Sequence, residues 1–147
     1  MAILKGIAYR NKKKAEMMET NAVQVTPERG VEGCYRGKPS ARQVTVLSLE
    51  DWQSACAEIN EELHWTTRRA NLLVEGIGFS SASVGDIIKI GDLRMQIMLE
   101  TDPCSRMEQA RKGLMKALVP NWRGGACCRV LSAGEIAVGD KVEVISQ

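Results

Sequence analysis

One short pattern occurs twice and narrows the folds open to this chain. Val84-Gly85-Asp86-Ile87-Ile88-Lys89-Ile90 is matched by Val138-Gly139-Asp140-Lys141-Val142-Glu143-Val144. In each, a glycine permits positive φ, an aspartate can bond nearby backbone, and a strand-like run follows. Each is therefore a turn that feeds a strand, and Asp86 and Asp140 are turn formers, not catalytic acids. Similar short runs lie at residues 3–9, 22–26, 42–47, 71–75, 93–99, 127–131 and 141–145. Gly91-Asp92 joins residues 87–90 to 93–99 as a tight hairpin. Leu93, Met95, Ile97 and Leu99 alternate with Arg94, Gln96 and Met98, which buries one face of that strand. Only two stretches carry a helical period. The chain is expected to be mainly β with a few helices (α+β), a closed or partly open β-barrel with helices over its openings.

The first helix follows Ser48, which with Asp51 forms a capping-box pattern. Trp52, Ala55, Cys56, Ile59 and Leu63 recur at three- and four-residue steps and form its apolar stripe. Cys56 falls on that stripe and is read as a small buried hydrophobe. The second helix is predicted over 103–118, with Met107, Ala110, Leu114 and Leu118 as its stripe and Pro120 as its stop. Two start signals compete there. Asp102 can cap with Pro103 in the first turn, or Ser105 can cap with Glu108 completing the box. Residues 30–40, with Gly33, Gly37 and Pro39, are expected to form an exposed loop.

A length of 147 residues suits one domain, 1–147, and a core that needs no disulfide or metal. The 20 basic and 18 acidic side chains give a net charge of only +2, and aromatic residues make up 4%. Both disfavour nucleic acid as a partner, which needs a broad positive field or a stacking platform. No apolar run spans a bilayer, and the N-terminus meets Lys5 before any secretory core forms, so a cytoplasmic protein without a membrane contact is expected. The five cysteines are odd in number, lack a Cys-x-x-Cys pair and accompany one histidine, His64. Reduced thiols are expected, not a disulfide scaffold or a zinc site. His64 is read as a helix-terminal residue.

The strongest site candidate is Cys104. A cysteine at a helix start, with Arg106 and Arg111 following, is placed where positive charge favours a thiolate. A buried cysteine between strand and helix fits the spacing equally well. Arg68 and Arg69 can present forked donors to a phosphate, although a solvated pair beside a strand fits better. Arg123-Gly124-Gly125 can bring backbone N–H groups to an anion or form an ordinary loop. Lys12, Lys13 and Lys14 read as a solvated turn, with a phosphate contact as the alternative. Cys127 and Cys128 must point to opposite faces of their strand, so at most one lines a pocket.

The order of these motifs resembles the MOSC domain, named for the C-terminal region of molybdenum cofactor sulfurase. The matching segments are Arg69-Ala70-Asn71-Leu72-Leu73-Val74-Glu75-Gly76, the two Val-Gly-Asp turns, Asp102-Pro103-Cys104 and Arg123-Gly124-Gly125-Ala126-Cys127-Cys128-Arg129. Gly30-Val31-Glu32-Gly33 also fits. The resemblance implies a barrel-like fold of the MOSC type and a pocket built around one cysteine. It implies that Cys104 is the catalytic residue and metal ligand, binding the molybdenum of a molybdopterin-type cofactor or carrying sulfane sulfur. Arg69, Asn71 and Arg123 are the implied cofactor-binding residues, converging with Cys104 at the mouth of the barrel.

The activities this resemblance implies are molybdenum–sulfur transfer or molybdenum-dependent reduction of N-hydroxylated compounds. A sulfurase, a cysteine desulfurase or a redox protein would be the partner. Pyridoxal phosphate, which the family's sulfurases hold in a separate domain, is not expected in this chain. The sequence departs from the family in having Cys34 after Gly33, where aspartate is usual, and in lacking a counterpart of the extra N-terminal barrel domain of the amidoxime reductases. The alternative from another class is a non-catalytic module binding a protein or nucleic-acid partner through Lys12, Lys13, Lys14, Arg68 and Arg69.

Overall fold

Eleven strands and three helices follow one another in the computed structural model, which describes residues 1–147. Strands β1 (Ala2–Tyr9), β2 (Met18–Thr20), β3 (Ala22–Thr26), β4 (Gly30–Val31) and β5 (Val44–Ser48) precede helix α1 (Leu49–Glu58). Strands β6 (Leu72–Glu75), β7 (Ile87–Ile90) and β8 (Leu93–Glu100) come next. Helices α2 (Ser105–Ala110) and α3 (Leu114–Leu118) then lead to β9 (Ala126–Ser132), β10 (Gly134–Ala137) and β11 (Lys141–Ile145).

Seven strands close into a barrel in the order β11-β7-β8-β9-β5-β6-β1, sealed where Ala2 and Ile3 of β1 pair with Val142 and Lys141 of β11. All these pairings are antiparallel except β5–β6, whose connection carries α1 across the outside of the wall. Strand β2 extends the sheet from β1, and β10-β3-β4 form a separate small sheet. Strands β2, β4 and β10, of three, two and four residues, are edge pieces that lie outside the expected runs. The Gly30–Val31 part of the expected exposed loop is one of them, and both residues are buried.

Alternation along the wall creates two apolar layers. Leu4, Ile88, Leu93, Met95, Ile97 and Cys128 fill the barrel interior. Ala8, Leu47 and Leu73 face outward and are covered by Trp52, Ala55 and Cys56 of α1 and by Met107, Leu114 and Leu118 of α2 and α3. Ser48 caps α1 as expected, accepting a hydrogen bond from the Asp51 N–H at 3.3 Å. Burial pushes the Cys56 thiol up, which keeps it protonated. Ile59 and Leu63 lie beyond the end of α1 and are half-buried.

The second helix is not continuous. It breaks after Ala110, and Gly113 takes φ +89° before the chain resumes as α3. The Glu108 carboxylate accepts the Gly113 N–H at 2.9 Å, so the group expected to complete a capping box instead holds the break. Neither Asp102 nor Ser105 is the N-cap. That position belongs to Cys104, whose side chain makes no capping bond. No helix is long and apolar enough to cross a membrane.

Candidate functional site

Strand parity decides which groups can meet outside the barrel. Val44 and Val46 point into the interior, so Thr45 between them points out. Cys128 lies in the interior layer, so Cys127 faces outward as well. Thr45, Asn71, Cys127 and Gly124 form part of the wall of a cavity of about 290 Å³, with Cys104 at its edge. The site therefore sits on the outer wall of the barrel.

Cys104 is exposed and lines the cavity. The crossover from β8 to α2 that carries it is clamped from below by Arg68, a side chain only 6% exposed. Arg68 Nε donates to the Gly124 carbonyl at 2.9 Å, and Nη2 donates to the carbonyls of Thr101 at 2.9 Å and Asp102 at 3.4 Å. Burial lowers the Arg68 pKa, opposed by nearby Cys104, Cys127 and Asp102. Its Nη1 makes no hydrogen bond and is not sealed from the cavity. Gly124 fits because a Cβ there would stand 2.3 Å from the Thr101 carbonyl oxygen. The glycine pair thus serves close packing.

Asn71 is buried and fully engaged. Its Oδ1 accepts from Thr45 N–H at 3.1 Å, and its Nδ2 donates to the Ala8 carbonyl at 3.1 Å and to Cys34 Sγ at 3.4 Å. Arg69 ends a 3-10 turn (Trp65–Arg68) in the left-handed region, φ +68°, a conformation that costs a non-glycine residue about 1 kcal/mol or more. Its Nη2 donates to the Ala15 carbonyl at 2.6 Å, and its guanidinium lines the cavity. Arg123 is placed elsewhere. It pairs with Glu58 of α1 at 2.5 Å and donates to the Ala117 carbonyl, so the structure brings Cys104, Arg69 and Asn71 together without it. His64 caps the same 3-10 turn and stands 3.6 Å from Glu19.

Most of the charge in the cavity comes from residues that spacing alone did not connect. Arg10, Arg36, Arg42 and Arg106 line it with Arg68 and Arg69, and Lys13 and Lys14 join them. Asp102 is the one carboxylate. Eight of the chain's 20 basic and one of its 18 acidic side chains lie here, so the cavity carries +7 and the rest of the chain −5. None of these eight cations forms an ion pair; the ion pairs of the molecule all lie elsewhere. Repulsion registers in the guanidinium groups. After burial, Arg36 lowers the Arg10 pKa, and Arg106 and Arg10 lower that of Arg69. Two further thiols share the wall. Cys34 accepts from Asn71, and Cys127 lies 3.1 Å from Thr101 Oγ1 and 4.0 Å from Arg42 Nη1.

Such an arrangement can hold a polyanion and present a soft sulfur donor to it. No protein of curated function matches the chain. Solved structures do match in fold. YuaD from Bacillus subtilis aligns with a TM-score of 0.82 at 18% identity, over 100% of this chain and 97% of that one. YiiM from Geobacillus stearothermophilus aligns at 0.80 with 16% identity, over 99% and 76% of the two chains. YiiM from Escherichia coli aligns at 0.74 with 18% identity, over 99% and 70%. The family model of the MOSC domain matches residues 20–143. By that match, and by its closed barrel, this chain belongs to the MOSC domain family.

Proposed function

We propose that the cavity binds a phosphate-bearing molybdopterin-type cofactor, with Cys104 as the sulfur ligand to its molybdenum. The observation that carries this reading is an exposed thiol at the edge of a cavity with eight cations, no ion pair and one carboxylate. The residues fit the group in kind. Thiolate is a soft donor suited to molybdenum, and guanidinium forks suit phosphate oxygens. Arg106, two residues after Cys104, and Arg69 line the cavity for the phosphate, with Asn71 holding the wall. When bound, the group would supply two-electron chemistry at the metal, such as reduction of N-hydroxylated compounds. The chain's own part is to bind, to orient and to supply the thiolate. Expression in a host that makes the cofactor, followed by extraction and fluorescence detection of the oxidised pterin, tests the reading. Wild-type protein is expected to carry the pterin, and its absence would overturn the proposal.

A second reading has a specific observation behind it: Cys34 and Cys127 line the same cavity as Cys104. On this reading Cys104 carries sulfane sulfur as a persulfide received from a cysteine desulfurase or sulfurase. Incubation with a desulfurase and cysteine, followed by peptide mass spectrometry, separates the two. A persulfide on Cys104 in protein free of pterin favours sulfur carriage. A persulfide on another cysteine, or on none, rejects it.

A further inference from the structure

A single phosphate monoester carries about −1.5 to −2 at neutral pH, and a thiolate adds one negative charge. Together they leave the +7 of the cavity largely unbalanced. Like charges gathered from separate chain segments and left without carboxylate partners lower stability unless a ligand answers them. The arginines also come from separate stretches of the chain. Arg68, Arg69 and Arg106 surround the crossover that bears Cys104. Arg10, at the end of β1, and Arg36, on the loop that bears Cys34, are a neighbouring pair that adjoins Arg69 and Arg106, and Arg10 lies over the half-exposed ring of Tyr35 at 5.8 Å. Neither Arg10 nor Arg36 donates a hydrogen bond to the protein through its side chain, so both forks are free.

We infer that the cavity holds two phosphate-type groups at once, one beside Cys104 on Arg68, Arg69 and Arg106 and a second on Arg10 and Arg36. Its preferred ligand therefore ends in a condensed phosphate, or else two separate anions fill the two places. This deepens the cofactor reading and rests on its anion-binding half, not on the metal. The ring of Tyr35 fixes the Arg10 guanidinium by cation–π contact, which leaves its edge for oxygen acceptors. The Cys34 loop is held by its own backbone, since a Cβ on Gly37 would fall 1.6 Å from the Arg29 carbonyl oxygen. Arg36 therefore stands on a fixed platform, tied to Arg10 where the Tyr35 N–H donates to the Arg10 carbonyl.

Calorimetric titration of inorganic pyrophosphate and inorganic phosphate into the Cys104→Ala protein, at constant ionic strength, tests the inference without cofactor chemistry. Pyrophosphate is expected to bind at 1:1 and at least about tenfold more tightly than phosphate, as one added charge-assisted contact provides. The Arg10→Ala/Arg36→Ala protein should lose that preference while keeping its affinity for phosphate. Arg106→Ala should weaken both anions. Phosphate binding at two per chain, with the second lost in the double variant, supports the two places and assigns them to separate anions. Equal affinities at 1:1, no binding of either anion, or equal weakening of both anions by the double variant overturns the inference. A pterin-free wild type that still prefers pyrophosphate would overturn the cofactor reading alone.

Discussion

The Arg68 guanidinium donates to the Gly124 carbonyl at 2.9 Å, and this bond ties the start of β9 to the crossover that carries Cys104. Three carbonyls depend on that one side chain. Replacing it by methionine keeps the stem but leaves the buried Gly124 carbonyl and two half-buried carbonyls without their donor. Arg68→Met should lower unfolding stability by about 2–4 kcal/mol, and Arg68→Lys, which keeps charge but loses the fork, by less. Denaturant unfolding followed by circular dichroism measures both. Equal stability of wild type and Arg68→Met would show that the clamp is not structural.

Gln43 is a second buried joint, 1% exposed, and it holds the arginine-bearing loop to the barrel. Its Nε2 donates to the carbonyls of Pro27 at 2.7 Å and Gly37 at 3.0 Å, while Oε1 accepts from the Val130 N–H at 2.9 Å. Gln43→Leu should cost about 2–4 kcal/mol, because its volume is similar and three backbone groups lose their partner. The same unfolding assay checks it, and a change below about 0.5 kcal/mol would contradict this account.

The thiols should separate by exposure. Cys104 is exposed, Cys34 is half-buried, and Cys56, Cys127 and Cys128 are buried. Iodoacetamide at neutral pH, with peptide mass spectrometry over time, is expected to label Cys104 first and Cys128 only on unfolding. Labelling of Cys56 ahead of Cys104 would mean that the crossover is closed over its thiol.

Alkaline pH should weaken the fold through Cys128. Complete burial pushes its thiol far above the ordinary range, with nearby Cys127 adding to the effect. The folded thiol keeps its proton where the unfolded one loses it. Its contribution to stability is therefore full below about pH 8.5 and falls as pH rises further, by at most about 1.4 kcal/mol per pH unit. Cys56 acts in the same direction. In Cys128→Ala the fall in stability between neutral and alkaline pH should be shallower, whatever its absolute stability. An unchanged slope would remove Cys128 as its source.

The barrel was legible because its turns and alternation are local. Leu93, Met95 and Ile97 are all buried, and Leu99 is half-buried where β8 shifts register against β9 between Ile97 and Leu99. Spacing alone could not reveal the break at Gly113, because the Glu108 bond that stabilises it competes with a capping pattern of the same residues. Cys104, Arg69 and Asn71 could be placed by motif order. Arg10, Arg36 and Arg42 could not, because their convergence depends on how the 30–42 loop folds back over the end of β1. The structure shows this where the Tyr35 N–H bonds to the Arg10 carbonyl at 2.6 Å. A net charge of +2 hid the site, since seventeen carboxylates elsewhere offset it.

Molybdenum content measures the central claim most directly. Wild-type protein purified from a cofactor-replete host should carry about one molybdenum per chain, and Cys104→Ala prepared in parallel should carry almost none, as loss of the soft ligand requires. Absence of molybdenum from the wild type, or equal content in the two proteins, would contradict the assignment of Cys104 as its ligand.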